Sequence, residues 1–392
     1  MILEITFVLI MALSVFYIGY FLLVWVRLRK WKAASQILGE RVDPLVSIVV
    51  PAFNEEKMII HKLENLSEQL YPNLEVIVVN DGSTDNTESV VQRFITETST
   101  SFRLRLISFG ERQGKSSAIN AAWKECRGDV MVISDADTLL EKNAIQKIVQ
   151  NFRDPQVGGV TGKLSMINYD ETSSTNLEKS YRNIFDMLRL GESCIDSTPV
   201  FNGPLIAIRR ELFEPLKSNT LADDTEIALR IRERGYRAIF DPVAEVYAFT
   251  PRSFRFRMKQ KIRRAQGIIQ ALIRHRELLF NKAYGKYGLV VVPCEFFMHV
   301  ISPMLVLLSV ALIVFCLILY SVPLLPILIL MGLATVILGL APVITKFLSK
   351  GQSRVNPLRF LATFMEHELF LGIGLFSLIL KRNDAKWEKI DD

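Results

Sequence analysis

Cysteine is scarce in this 392-residue chain. The four that occur, Cys126, Cys194, Cys294 and Cys316, show neither metal-ligand spacing nor a paired framework. This argues against a disulfide-stapled scaffold or a thiolate metal module and fits a reducing compartment. The N-terminus lacks a basic leader and a small-residue cleavage site, so its apolar run does not read as a removed signal peptide. Gly114-Lys115 precedes a helix start without the glycine spacing of a Walker loop. Acidic residues are missing from Arg252 to Arg276, a stretch with nine Lys or Arg. Such a patch would suit a nucleic acid on charge alone, but apolar runs adjoin it and exclude that partner.

Apolar residues are what the chain has in abundance: half of the total, concentrated at the N-terminus and from about Gly288 onward. Ile5 to Val26 carries no charge and is long enough to span a bilayer. Arg27, Arg29, Lys30 and Lys32 follow it at once, which by the positive-inside rule puts the N-terminus outside and the next segment in the cytoplasm. Gly288 to Tyr320, with Pro293 and Pro303, is too long for one simple span and suggests an interfacial piece joined to a spanning helix. Leu324 to Thr345 reads as a further span, followed by a basic loop with Lys346, Lys350, Arg354 and Arg359. Phe360 to Leu380 is another apolar stretch, but Glu366, His367 and Glu368 sit in its middle, where charges are expensive in lipid and face a protein interior or a cavity. The expected division is 1–32 for the N-terminal span, 42–250 for a cytoplasmic domain, 251–286 for amphipathic interfacial helices, and 287–392 for the C-terminal membrane region and tail.

The middle has the composition of a globular α/β domain. Leu45 to Val50, Leu74 to Val79 and Val130 to Ile133 are short apolar runs rich in β-branched residues and read as buried parallel strands, with Leu104 to Ser108 a weaker one. Helical stretches lie between them at Glu55 to Leu70, Asp85 to Thr96, Ser116 to Cys126 and Asn143 to Phe152. This alternation predicts a Rossmann-like, doubly wound, mostly parallel sheet whose ligands sit at the strands' carboxyl ends.

Acidic groups cluster there. Asp135-Ala-Asp137 follows one strand, and two carboxylates one residue apart at a strand end suit a hard divalent ion such as Mg²⁺ or Mn²⁺. Asp81, in Asn80-Asp-Gly-Ser83, is placed to bind a base or ribose. Arg112-Gln-Gly-Lys115 brings cations to a phosphate. Asp223-Asp224-Thr-Glu226 precedes a helix and offers a general base. Phe254, Met258, Ile262, Ala265, Ile269 and Leu272 form an apolar stripe on a basic helix, with Gln260, Arg263 and Arg264 on another face. Taken singly, each has a plain structural alternative: a solvated turn, an Asp-Gly turn pair, an exposed basic loop, a capped helix start, attraction to anionic lipid. The ordered set is what is specific.

In this order the motifs resemble glycosyltransferase family 2, inverting enzymes with a GT-A fold, over about Val46 to Gln270. The similarity is strongest in Val50-Pro-Ala-Phe-Asn-Glu-Glu56, Val79-Asn-Asp-Gly-Ser-Thr-Asp85, Gly114-Lys-Ser-Ser-Ala-Ile-Asn120 and Ser134-Asp-Ala-Asp137. The layout of spans and interfacial helices resembles the branch containing poly-N-acetylglucosamine, cellulose and hyaluronan synthases. The resemblance implies that Pro51, Phe53, Glu55 and Asp81 hold the nucleoside, commonly uridine, and that Lys115 and Asp135 contact the donor. It implies metal at Asp137 and the catalytic base at Asp224. Gln260 and Arg263, with Arg264 beside them, match a diphosphate-binding motif, and Asn202, Gly203 and Asp223 fall near the acceptor site. Two departures stand out. Ala222-Asp223-Asp224 replaces Thr-Glu-Asp, and Arg264 replaces the tryptophan on which an acceptor sugar stacks. A guanidinium there suits a phosphate or acidic sugar.

The expected protein is therefore a multi-pass cell-membrane enzyme, a GT-A catalytic domain with transmembrane and interfacial α-helices. It would use Mg²⁺ or Mn²⁺ and transfer a sugar from a nucleotide-sugar donor to a saccharide or lipid-linked acceptor, in contact with membrane lipids. A polyprenyl-phosphate acceptor, and a nucleotide-binding transporter or scaffold without chemistry, are the alternatives.

Overall fold

Residues 2–34, 43–167, 173–249, 253–320 and 357–380 are described by the computed structural model. The expected span at Leu324–Thr345, the basic loop after it as far as Arg354, and the tail from Lys381 lie outside these residues. Four strands form the parallel half of the sheet: β1 (Val46–Ala52), β2 (Leu74–Asn80), β3 (Arg103–Ser108) and β4 (Val130–Ile133). Helices α2 (Ile59–Ser67), α3 (Thr87–Glu97) and α4 (Lys115–Glu125) join them in turn. β2 and β4 are buried at every position because helices cover both faces. One core lies under Ile48, Val50, Leu63, Val76 and Val132, the other under Val49, Ile77, Ile119, Met131 and Ile133. These two sets alternate along each strand, as a pleat buried on both sides requires.

The strand order β3-β2-β1-β4 reverses direction between β1 and β4. A crevice opens at such a switch point, outside the carboxyl ends of the strands, and here those ends lead into Pro51–Glu55 and Asp135–Asp137.

Beyond β4 the sheet is mixed. β5 (Leu139–Leu140) is followed by α5 (Ala144–Val149), then by β6 (Val157–Met166), β7 (Ile206–Arg209) and β8 (Arg237–Ala248). β7 is antiparallel to β4 and to β6, β8 is parallel to β6, and β5 is antiparallel to β8. The eight strands thus make one mixed sheet. β6 and β8 run with the first four strands, so it is mostly parallel as expected, while β5 and β7 run against them. β7 follows α6 (Ser173–Ile195), but the loop after that helix brings it back antiparallel to β6, so this connection is not a right-handed βαβ crossover.

The remaining helices bind this sheet to the apolar ends of the chain. They are α1 (Ile2–Ala34), α6 (Ser173–Ile195), α7 (Asp223–Glu233), α8 (Phe254–Arg274), α9 (Val292–Phe296), α10 (Ser302–Tyr320) and α11 (Pro357–Ile379). Two helical stretches, Glu4–Arg29 and Tyr287–Phe315, are long and apolar enough to cross a membrane by length and composition. The second contains wide π turns at Tyr287–Val291 and Phe297–Ile301, each over the residue four before a proline, where the ring displaces a helix carbonyl.

Polar side chains within the apolar helices meet protein. The Tyr17 hydroxyl donates to Glu368 at 2.8 Å, and Ser302 donates to the same carboxylate at 3.1 Å, which ties α1, α10 and α11 together. Glu366 pairs with Arg257 of α8, and His367 lies edge-on to Phe185 of α6, with ring centroids 5.0 Å apart. Arg257 is 2% exposed, so α8 does not keep all its cations on a wet face: the acid of α11 draws this one inward. Tyr20 of α1 donates to Glu192 of α6 at 2.8 Å.

Candidate active site

The loops after β1, β2, β3 and β4 wall a cavity of 290 Å³ lined by Pro51, Phe53, Asp81, Arg112, Lys115, Asp135 and Asp137. Asp81 organises it. Its buried carboxylate accepts the Gln113 N–H at 2.7 Å and the Gly114 N–H at 2.9 Å. Gly114 has φ +93°, a conformation that a side chain disfavours. The loop so pinned lays the Arg112 guanidinium over the Phe53 ring, 3.9 Å from its centroid. Nε and Nη2 of Arg112 are buried without a hydrogen-bond acceptor among the described residues, so the slot presents both a flat cationic surface and unused donors. Glu55 differs from its neighbours: it is 1% exposed and lies outside the cavity lining.

Lys115 is the hub. Its ammonium lies 2.8 Å from Asp135 and 3.2 Å from Asp223. Burial opposes its charge, but the carboxylates of Asp135, Asp223 and Asp224 override this and hold it above the usual lysine range. Asp137 is exposed to the cavity and has no ion-pair partner among the described residues. Desolvation, then the Asp135 carboxylate, lift it to about 6. A carboxylate lacking a compensating cation suits a divalent ion. No cluster of three or more His, Cys, Asp or Glu side chains that could hold a metal occurs among the described residues. Asp135 and Asp137 both face the cavity, and two carboxylates of this kind fit Mg²⁺ or Mn²⁺ completed by phosphate and water.

A second cavity, of 240 Å³, adjoins the first and shares Lys115, Asp135, Asp137, Asp223 and Arg263 with it. Asp224, at the start of α7, opens into this one. Its Oδ1 accepts the Thr225 N–H at 2.7 Å. Its Oδ2 comes within 3.5 Å of where a side chain on Gly203 would begin, so Gly203 leaves this oxygen room. Desolvation, then Asp223, raise Asp224 above the usual carboxylate range, against the pull of Arg264 and Lys115. Arg263 and Arg264 reach the site from α8, Gln260 stands exposed at its rim, and His367, Phe370 and Leu371 of α11 form its far wall. Asn202 does not line it. Its amide donates to the Gly162 carbonyl at 2.8 Å and knits its loop to β6.

Four contributors were missed in the sequence reading. Arg182 and His367 line the second cavity. Lys62, pushed down to about 7 by burial despite Asp135 and Asp137, underlies the Asp135–Asp137 turn. Glu226 anchors α7 to α8 through Arg274 at 3.0 Å and binds Arg230 of its own helix at 2.7 Å. Of these, Glu226 had a signal in the acidic cluster at the start of α7, and His367 had one in the polar triplet inside its apolar run.

Residues 47–216 match the Glycosyl transferase family 2 profile. The chain is 32% identical over 248 residues to the probable glycosyltransferase YdaM of Bacillus subtilis, covering 61% of this chain and 57% of that protein. It is 24% identical over 239 residues to the poly-β-1,6-N-acetyl-D-glucosamine synthase of Staphylococcus aureus, covering 59% of this chain and 57% of that one. The chain thus spans little more than half the length of these curated relatives. Among solved structures, a mannosyltransferase from Pyrobaculum calidifontis in complex with GDP-Man and Mn²⁺ is similar over 96% of this chain and 100% of its own, with TM-score 0.76 and 27% identity. On this sequence match and structural likeness, residues 47–216 form a glycosyltransferase family 2 domain, and the mixed α/β domain of the chain is GT-A-like.

Proposed function

We propose that the protein is an inverting, membrane-embedded glycosyltransferase with its catalytic domain in the cytoplasm. It moves a sugar from a nucleoside-diphosphate donor to a lipid-linked or otherwise anionic saccharide. One observation carries this reading: Lys115, Asp137 and Arg263 line both cavities where they meet, and Asp224 opens into the second beside them. The first takes the nucleotide, with the base against Phe53 and Arg112. The second takes the acceptor.

Asp224 accepts the proton of the acceptor hydroxyl as that oxygen attacks the anomeric carbon. Desolvation makes this carboxylate the stronger base. Lys115 and Arg263 meet the charge that develops on the departing diphosphate. Asp137, with Asp135 beside it, would hold a divalent ion, which would further neutralise that leaving group. Single in-line attack inverts the anomeric centre. Arg264 and Arg182 offer cations to an acceptor anion, and Phe370 and Leu371 offer an apolar wall to its lipid. The transporter alternative loses its main support, because Glu366, His367 and Glu368 pack against Arg257, Phe185 and Tyr17.

The resemblance read from sequence implied uridine, whereas the similar Pyrobaculum protein holds GDP-Man and Mn²⁺. We take GDP-mannose as the first donor to test. Purified protein is incubated with GDP- and UDP-sugars, Mg²⁺ or Mn²⁺, and membrane lipid extract, and the products are sized by mass spectrometry. Metal-dependent release of GDP with one added hexose is the expected result. Nucleotide binding without release from any sugar donor would return the protein to the scaffold class.

A further inference from the structure

Lys62 is a lysine with no access to solvent. It belongs to the inward face of α2 with Ile59, Leu63 and Leu66, and its side chain is 0% exposed. A lysine on an apolar helix face normally snorkels to water. This one instead runs under the end of β4. Its ammonium donates to the Ser134 hydroxyl at 2.7 Å and to the Thr138 carbonyl at 2.9 Å, with the Thr138 hydroxyl at 3.5 Å. These three oxygens match the three donors of an ammonium. None is a carboxylate.

The bonds continue outward. The Thr138 hydroxyl donates to the Asp135 carbonyl at 3.0 Å, and the Ser134 hydroxyl donates to the Pro204 carbonyl at 3.0 Å. One buried cation therefore grips both ends of the turn that carries Asp135 and Asp137. Through Ser134 it also reaches the loop with Gly203, beside the base. Taking an ammonium out of water costs several kcal/mol even after relaxation, and an apolar side chain of similar volume would avoid that cost. A function at this place is the physical reason to keep the charge.

We infer that Lys62 is a positioning residue that clamps the Ser134–Thr138 turn and holds Asp135 and Asp137 ready for the divalent cation and the donor diphosphate. The assignment rests on the metal-dependent transfer proposed above. Lys62 touches neither substrate nor metal. It acts through the turn, as partners behind a metal's ligands do, and loss of such partners weakens metal binding by roughly 10- to 100-fold.

The test is direct Mn²⁺ binding by electron paramagnetic resonance, on the full-length protein in detergent with GDP or UDP present. Lys62→Met should weaken Mn²⁺ binding by about 10-fold or more and keep a cooperative thermal transition. Ser134→Ala, which removes one of the three acceptors but retains the lysine, should weaken it less and carries the test if Lys62→Met does not fold. Mn²⁺ affinity within about two-fold of wild type in a folded Lys62→Met protein overturns the inference and leaves the proposed transfer intact. Wild-type protein that binds no Mn²⁺ with either nucleotide overturns the inference and the metal assignment together.

Discussion

The two cavities that meet at Lys115 are built differently. The proposed donor cavity is walled mainly by loops that leave β1, β2, β3 and β4 and by the start of α4, all within the parallel half of the sheet. The proposed acceptor cavity is assembled from the turn after β4 and from β6, α6, α7, α8 and α11, so its walls are drawn from segments more than two hundred residues apart in the chain. Strand-end loops inherit their positions from a rigid, doubly covered sheet. The acceptor side depends on helices held together by a few close contacts and buried ion pairs. The donor half should therefore tolerate change near its rim, and the acceptor half should be sensitive to changes well away from substrate.

The largest effect should come where the halves touch. Asp224→Asn keeps the shape and removes the base, so kcat should fall about 10³-fold, while calorimetry shows GDP or UDP binding within two-fold of wild type. Near-normal turnover would mean that another group takes the proton.

Next is a substitution that touches neither cavity's chemistry. A Cβ on Gly267 of α8 would lie 2.6 Å from the Ala222 Cβ and 2.9 Å from its nitrogen. Gly267→Ala must push α8 away from the residue that precedes Asp223 and Asp224. Displacement on this scale should lower kcat by roughly 10- to 100-fold with little change in donor KM. An equal loss in donor KM would show that the two halves are not separable.

Arg264→Ala should raise KM for an anionic, lipid-linked acceptor about 10-fold, the worth of one charge-assisted hydrogen bond. KM for a neutral saccharide acceptor should hardly change. If both rise together, Arg264 serves the donor diphosphate instead.

The smallest effect is on stability. Desolvation would raise Glu226, but the His275 hydrogen bond and the charges of His275, Arg274 and Arg230 bring it down to about 2. Desolvation would lower His275, but its bonds to Glu226 and Glu233 lift it to about 9. A depressed carboxylate stabilises above its ordinary range and loses that contribution as pH falls towards 2. A raised histidine stabilises below its ordinary value near 6.5 and loses that contribution as pH rises through 9. The α7–α8 junction should thus be tightest between about pH 4.5 and 6.5. The melting temperature should drop by about 3 °C between pH 6.5 and 9.5, and His275→Gln should flatten that slope. A slope unchanged in the variant would assign it to other groups.

Legibility followed the same division. β1, β2 and β4 show in the sequence as unbroken apolar runs because both faces are buried. β7 is as short as β4, but its Ile206-Ala-Ile-Arg209 run carries an alanine and ends on a charge, so it lacks the unbroken apolar signal of Val130–Ile133. β6 is interrupted by Gly158, Gly159 and Gly162, and β8 carries Pro242 at a register shift against β6. Both therefore read as irregular chain, though the proline and the shift mark a bulge. In the site, Asp81, Asp135, Asp137 and Lys115 stood in short motifs at strand and helix ends. Lys62 looked like one more surface lysine of an amphipathic helix, because nothing local says which face turns towards β4.

By itself the sequence determined the elements whose signal is local: the parallel strands, the strand-end carboxylates, the apolar helices and the basic helix before the second of them. Only the tertiary structure decided what faces what. It turned β7 antiparallel against β4, brought α8 beside α7 so that Arg264 and Asp224 line one cavity, and drew Arg257 in to Glu366. These outcomes depend on burial and on partners far along the chain. Whether a charge meets water, a lipid-facing wall or an opposite charge is settled by the fold, and the chemistry each residue can perform follows from that.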